Sequence, residues 1–233
     1  MAEPTPNQAP NTPPPPPPWV QPEPTHIVSA LLRNPRRISE SIAEKQELLR
    51  SAGLLLATGL ACHAVFGVAI GLFGGWSVAL MDAVKMPLVA LCSLLLCFPS
   101  LYVFTCVAGS PLTIAQAFVL GCSCLAMVGL ILVGLAHVAW LFSVSTANLS
   151  FVALLTFLIW LVAIGFAGRY VAKLGAHPLF ARQAGINMWF LILIVVTLQM
   201  ATCMRPMLTT SDQGWWTGEK QFFLSHFGST FEN

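Results

Sequence analysis

Charge is what this chain has least of, with 11 Lys or Arg and 9 Asp or Glu making up 9% of 233 residues. Soluble domains carry roughly 25% charged residues, because their surfaces must be hydrated. Here 56% of the residues are apolar, which excludes a water-soluble fold and makes membrane spans the useful unit of count. The net charge of +2 is too small to point to a nucleic-acid partner. Catalytic signatures are absent too: there is no H-E-x-x-H, no nucleotide-binding glycine loop and no G-x-S-x-G. The chain is therefore not expected to be an enzyme. All 7 cysteines (Cys62, Cys92, Cys97, Cys106, Cys122, Cys124 and Cys203) fall inside apolar segments, so they supply no disulfide framework. Cys122 and Cys124 point to different faces of a helix and lack a second ligand cluster, so neither a metal nor a cofactor is expected.

What the chain does have is a set of long apolar runs. The stretch from Trp76 to Pro111 is the one that carries a carboxylate and an ammonium near one end, Asp82 and Lys85. Behind them Pro87 to Ala108 runs without a charge, about 22 residues, enough for a helix to cross a ~30 Å hydrocarbon core. Pro87 and Pro99 are expected to bend it. Gly109 suits the left-handed residue after a helix, Ser110 suits a cap and Pro111 a first helical position, which predicts a tight antiparallel hairpin.

The remaining spans follow from the same count, giving five: about 51–75, 87–108, 112–139, 149–168 and 184–204. The first has small residues at every fourth position, Gly53, Ala57 and Ala61, then Gly67, Gly71 and Gly75, which let a neighbouring backbone approach closely. This helix is expected inside the bundle, with the later glycines as packing residues. His63, ~18 Å along it at 1.5 Å per residue, is a functional candidate because ionisable groups at that depth are costly. The plainer account is a neutral histidine hydrogen-bonded to another helix. Asn187 and Gln199 are the polar residues inside the fifth span.

The flanks differ from the core. Residues 1–25 hold 11 of the 17 prolines, including Pro13 to Pro18, so this tail is expected to be extended polyproline II or disordered. It has neither the basic start nor the apolar core of a cleavable signal peptide. It reads as a spacer or as a ligand for a proline-binding groove, with Trp19 as anchor. Residues 26–50 read as an amphipathic helix on the membrane surface, with Ile38, Ile42 and Leu49 on one face. Residues 209–233 cluster Trp215, Trp216, Phe222 and Phe223, which suits the membrane interface or a protein partner.

Orientation follows from the basic residues. In a five-span topology Arg33, Arg36, Arg37, Lys45, Arg50, Arg169, Lys173 and Arg182 share one side, against Lys85, Arg205 and Lys220 on the other. The positive-inside rule then puts the amino terminus in the cytoplasm and the carboxyl terminus outside. Asp82, Lys85 and Arg205 fall together on the outer side, where Asp82 is expected to pair with Lys85 or Arg205 at the rim.

The runs ALMDAVKMPL, CFPSLYVF and GSPLTIAQAF, followed downstream by QMATCMRPM and FGSTFEN, resemble a family of five-span bacterial membrane proteins without an established activity. The resemblance covers roughly residues 76–233 and implies a bacterial inner membrane location. More distantly, the layout is similar to the Yip-type membrane trafficking proteins, by architecture alone. The expectation is an all-α, polytopic bundle with an interfacial helix and a proline-rich tail, acting as a membrane scaffold or interaction protein. Its partners would be the bilayer and a protein held by either tail. The alternative is a small-solute or ion permease. Five spans without an internal repeat would require it to work as a homo-oligomer, with His63, Asn187 and Gln199 converging on one cavity.

Overall fold

The structure, a computed structural model, describes residues 29, 31–32, 48–107, 109, 111–146, 148–174 and 183–203. Among them every regular element is helical: α1 (Leu48–Gly71), a 3-10 turn (Leu72–Gly74), α2 (Trp76–Val107), α3 (Ile114–Ser145), α4 (Leu149–Leu174) and α5 (Gln183–Cys203). Four helices are long and apolar enough to cross a membrane, and α5 contains a shorter apolar stretch, Gly185–Ala201.

Helix ends lie where local hydrogen bonding puts them. α1 begins at Leu48, three residues ahead of the expected span, and α2 begins at Trp76, so Asp82 and Lys85 lie inside the helix. Both Pro87 and Pro99 are inside α2. Gly75, with φ 95°, and Gly109, with φ 73°, take the left-handed conformations that turn the chain after α1 and α2. The expectation of Pro111 as the first helical residue is corrected. Thr113 caps α3, its hydroxyl accepting from the Gln116 amide while the Gln116 side chain accepts from the Thr113 amide. That capping box satisfies two amides that Pro111 leaves untouched. Ser110 lies outside the described residues. At α4 the Asn148 side chain accepts from the Phe151 amide at 3.1 Å, a cap by the residue whose sequence context also resembles a glycosylation acceptor. α4 then continues to Leu174, carrying Arg169 and Lys173 within the helix instead of in a loop.

The helices close into a ring. α1 packs against α2 and α3, α2 against α5, α3 against α4, and α4 and α5 meet over a short stretch, with α2 also touching α3 across the ring. The central element is α3, buried over 61% of its most apolar window against 39% for α1 and 22% for α4. From Val119 to Met127 it is buried on all sides, the pattern of a helix with no free face. On α1 the first half of the small-residue ladder, Gly53, Ala57 and Ala61, is exposed. Two apolar clusters fill the interior. The larger joins α1, α2 and α3 to Tyr170, Val171 and Leu174 of α4 and to Ile186 and Trp189 of α5, and the smaller joins Phe66 and Ile70 to Leu132, Ala136, Ile159 and Ala163. Leu31, one of the few described residues before α1, is helical and fully buried in the larger cluster. Most of residues 26–50, including Ile38 and Ile42, lies outside the described part.

Outward-facing side chains are apolar. Leu80, Leu95, Leu96, Val103, Leu161 and Leu191 are all more than 40% exposed, which suits hydrocarbon and not water.

Candidate functional site

Two polar features stand inside this apolar ring. The first is at the α1–α2 contact. Gly67 and Gly71 let α2 come so close that a Cβ on Gly67 would overlap the Asp82 carbonyl, and one on Gly71 would lie 2.6 Å from the Ala79 Cα and 3.0 Å from Asp82 Oδ2. The Asp82 carboxyl therefore lies against the backbone of α1. It is 0% exposed, and neither oxygen has a hydrogen-bond partner among the described residues. Lys85, one turn on and 5% exposed, interacts with it electrostatically. Asp82 lies ~9 Å along α2 from Trp76 at 1.5 Å per residue and is covered by α1. Arg205, the other expected partner, lies outside the described residues.

Gly75 does not extend the packing ladder, because nothing lies within 4 Å of where its Cβ would be. The ladder ends with α1, and Gly75 serves the turn.

The second feature is a crevice reached by all five helices. His63 of α1 lines it, together with Leu94 of α2, Cys124 of α3, Trp160 of α4 and Leu193 and Thr197 of α5, around a cavity of about 50 Å³. His63 is 6% exposed, and its Nδ1 lies 2.7 Å from the Gly59 carbonyl on its own helix. A carbonyl only accepts, so Nδ1 carries the proton and the neutral ring keeps Nε2 as an acceptor. Gly129 of α3 packs onto that same hydrogen bond, its absent Cβ falling 2.9 Å from the Gly59 oxygen and 3.0 Å from His63 Nδ1. With Nδ1 held there, the opposite ring edge is the one left for the crevice. The Thr197 hydroxyl donates to the Leu193 carbonyl at 2.7 Å, which leaves its oxygen as an acceptor as well.

The expected polar residues do not all meet. His63 reaches the crevice, whereas Asn187 is exposed on α5 and Gln199, half-buried, does not line the cavity. Trp19, Trp215, Trp216, Phe222 and Phe223 lie outside the described residues. Residues that sequence reasoning passed over include Gly59 and Gly129, which set the α1–α3 approach, and Thr197. The signal for the first was Gly59 standing four residues before His63, where a ring nitrogen meets an i−4 carbonyl. Trp189 was also missed: it is fully buried, and its indole Nε1 donates to the Cys97 carbonyl of α2 at 2.9 Å, pinning α5 to the ring.

Among the described residues no group of three or more His, Cys, Asp or Glu is placed to hold a metal, and Cys62, Cys92, Cys97, Cys106, Cys122 and Cys124 are free thiols. Comparison with protein families, curated proteins and solved structures finds no match.

Proposed function

We propose that this chain is a five-span membrane scaffold, a rigid helical anchor that presents a proline-rich segment on the cytoplasmic face and an aromatic segment on the other. The observation that carries this reading is the failure of the polar residues to line one path. Charges inside the described bundle sit at a glycine-sealed helix contact, Asp82 and Lys85 between α1 and α2, while Asn187 faces outward. A permease needs polar groups facing a shared cavity, whereas an anchor needs a stiff core and an apolar coat, and close glycine contacts with an apolar exterior fit the anchor. In this reading α5 is the fifth span and the eight basic residues of the amino-terminal side lie in the cytoplasm. A bacterial inner membrane location rests on the sequence resemblance alone.

One observation favours the alternative of an oligomeric permease: His63, an ionisable group well inside α1, lines the crevice. The deciding experiment is affinity purification of the tagged protein in mild detergent, beside forms lacking residues 1–25 or 209–233. Partners that disappear with one deletion support the scaffold and name its working side. A protein recovered alone and unchanged by both deletions overturns it in favour of the bundle interior.

A further inference from the structure

We propose that the crevice at the centre of the ring binds the head of a neutral, hydroxyl-bearing amphiphile, a long-chain alcohol whose chain leaves into the bilayer between α4 and α5. This needs the bundle to be embedded in lipid and is independent of the scaffold role.

The chemistry of the lining selects the head group. No charged side chain lines the crevice, so an ionic head would enter without a counter-charge, at prohibitive desolvation cost. His63 and Thr197 present acceptors, Nε2 and Oγ1, because each uses its own proton on a backbone carbonyl of its helix. Acceptors in an apolar wall call for a donor, and a hydroxyl brings one proton, which goes to either acceptor, together with carbons that cover the apolar walls a water would leave bare. Sites of this kind take their orientation from a few polar groups and their affinity from apolar walls.

Size and shape select the rest. A cavity of about 50 Å³ exceeds the ~10–15 Å³ that one water occupies by the same measure but is below the ~150 Å³ of a cavity that takes benzene. It therefore holds a hydroxyl and the first few carbons, and not a ring or a bulky head. The way out is also visible. Residues contributed by α1, α2 and α3, such as His63, Leu94 and Cys124, are buried, whereas Trp160 of α4 and Leu193 and Thr197 of α5 are half-buried. The open side is thus where α4 and α5 touch least, facing what the apolar exterior marks as lipid. A slim alkyl chain leaving there stays in hydrocarbon for its whole length.

The test uses the full chain reconstituted in phosphatidylcholine–phosphatidylglycerol vesicles with a long-chain alcohol carrying a diazirine close to its hydroxyl. Photolabelling is expected to saturate, to map to α4 and α5 around Trp160 and Leu193, and to be competed by 1-hexadecanol but not by its methyl ether, which lacks the donor. His63→Phe and Thr197→Val should each weaken labelling roughly fivefold, the scale of one hydrogen bond, while Leu161→Ala on the exposed face of α4 should leave it unchanged. Equal competition by the ether, labelling that never saturates, or labelling indifferent to both crevice variants would overturn the proposal. If His63→Phe fails to run as a single species in size-exclusion chromatography, Thr197→Val alone decides the matter, since it keeps the volume of the side chain.

Discussion

Asp82 carries the sharpest single-residue consequence in the molecule. A carboxyl with 0% exposure and two oxygens lacking hydrogen-bond partners among the described residues has Lys85 as its electrostatic neighbour, and leaving either buried polar group without the other costs about 1–3 kcal/mol. Asp82→Asn and Lys85→Met should each lower stability on that scale in a detergent-unfolding titration, and the double variant should lose clearly less than the sum. Strictly additive losses would show that the two are not paired. The glycines beside Asp82 make a second prediction. Gly71→Ala would place a Cβ 2.6 Å from the Ala79 Cα, and because the obstacle is backbone the helices must separate, at a cost of about 1–3 kcal/mol. Gly53→Ala, with nothing within 4 Å, should be neutral or slightly stabilising, since alanine is the better helix former. Both variants look alike in the sequence, where Gly53 and Gly71 belong to one pattern of small residues. Spacing identifies which residues share a face but not which neighbour covers it. For the same reason His63 was legible as an oddity, while its Gly59 and Gly129 surroundings depended on where α3 lies.

At the scale of helices, existence was plain from the apolar runs, but boundaries were not. Long apolar segments dictate helices because every backbone group must be satisfied internally where no water reaches, and each of the five expected segments overlaps one helix. Ends are decided by local hydrogen bonding. After Gly109 the sequence points to a start at Ser110-Pro111, whereas α3 starts after Thr113, whose capping box with Gln116 satisfies two amides. Thr113→Ala should then cost about 1 kcal/mol, within the usual range for a lost cap, while Ser110→Ala should have little effect on α3; thermal unfolding of the two variants compares them directly. α5 has a different attachment. Its hold on the ring includes the Trp189 indole bond to the Cys97 carbonyl at 2.9 Å, so Trp189→Phe, which keeps most of the buried ring, should cost about 0.5–1.5 kcal/mol. The loss should appear chiefly as faster amide exchange in α5, since α1, α2 and α3 retain their glycine contacts.

For the whole molecule, the question with the largest consequence is whether α5 crosses. Helix length allows it, since 21 residues at 1.5 Å each reach ~31 Å, about the thickness of the hydrocarbon core. Asn187 is exposed near one end of α5, where it would meet headgroups if the helix crosses and hydrocarbon if the helix is displaced along the normal, and the first arrangement is the less costly. The charge count does not separate the two arrangements. With α5 crossing, Arg182 is one of the eight basic residues on the amino-terminal side and Arg205 emerges opposite, in keeping with the positive-inside rule. Without a crossing, Arg205 and Lys220 would return to the Arg182 side, raising the bias from eight against three to ten against one. The rule is thus satisfied by either topology, and packing has to decide. α5 closes the ring by meeting both α2 and α4, with Trp189 fully buried, a packing that suits a helix running alongside its neighbours. A carboxyl-terminal alkaline phosphatase fusion should therefore be active and the matching green fluorescent protein fusion dark in a bacterial host, with both signals reversed when the junction is moved back to residue 178, ahead of α5. Fluorescence from the full-length fusion would place both termini on one side and reduce the bundle to four crossings, with α5 packed against them without passing through.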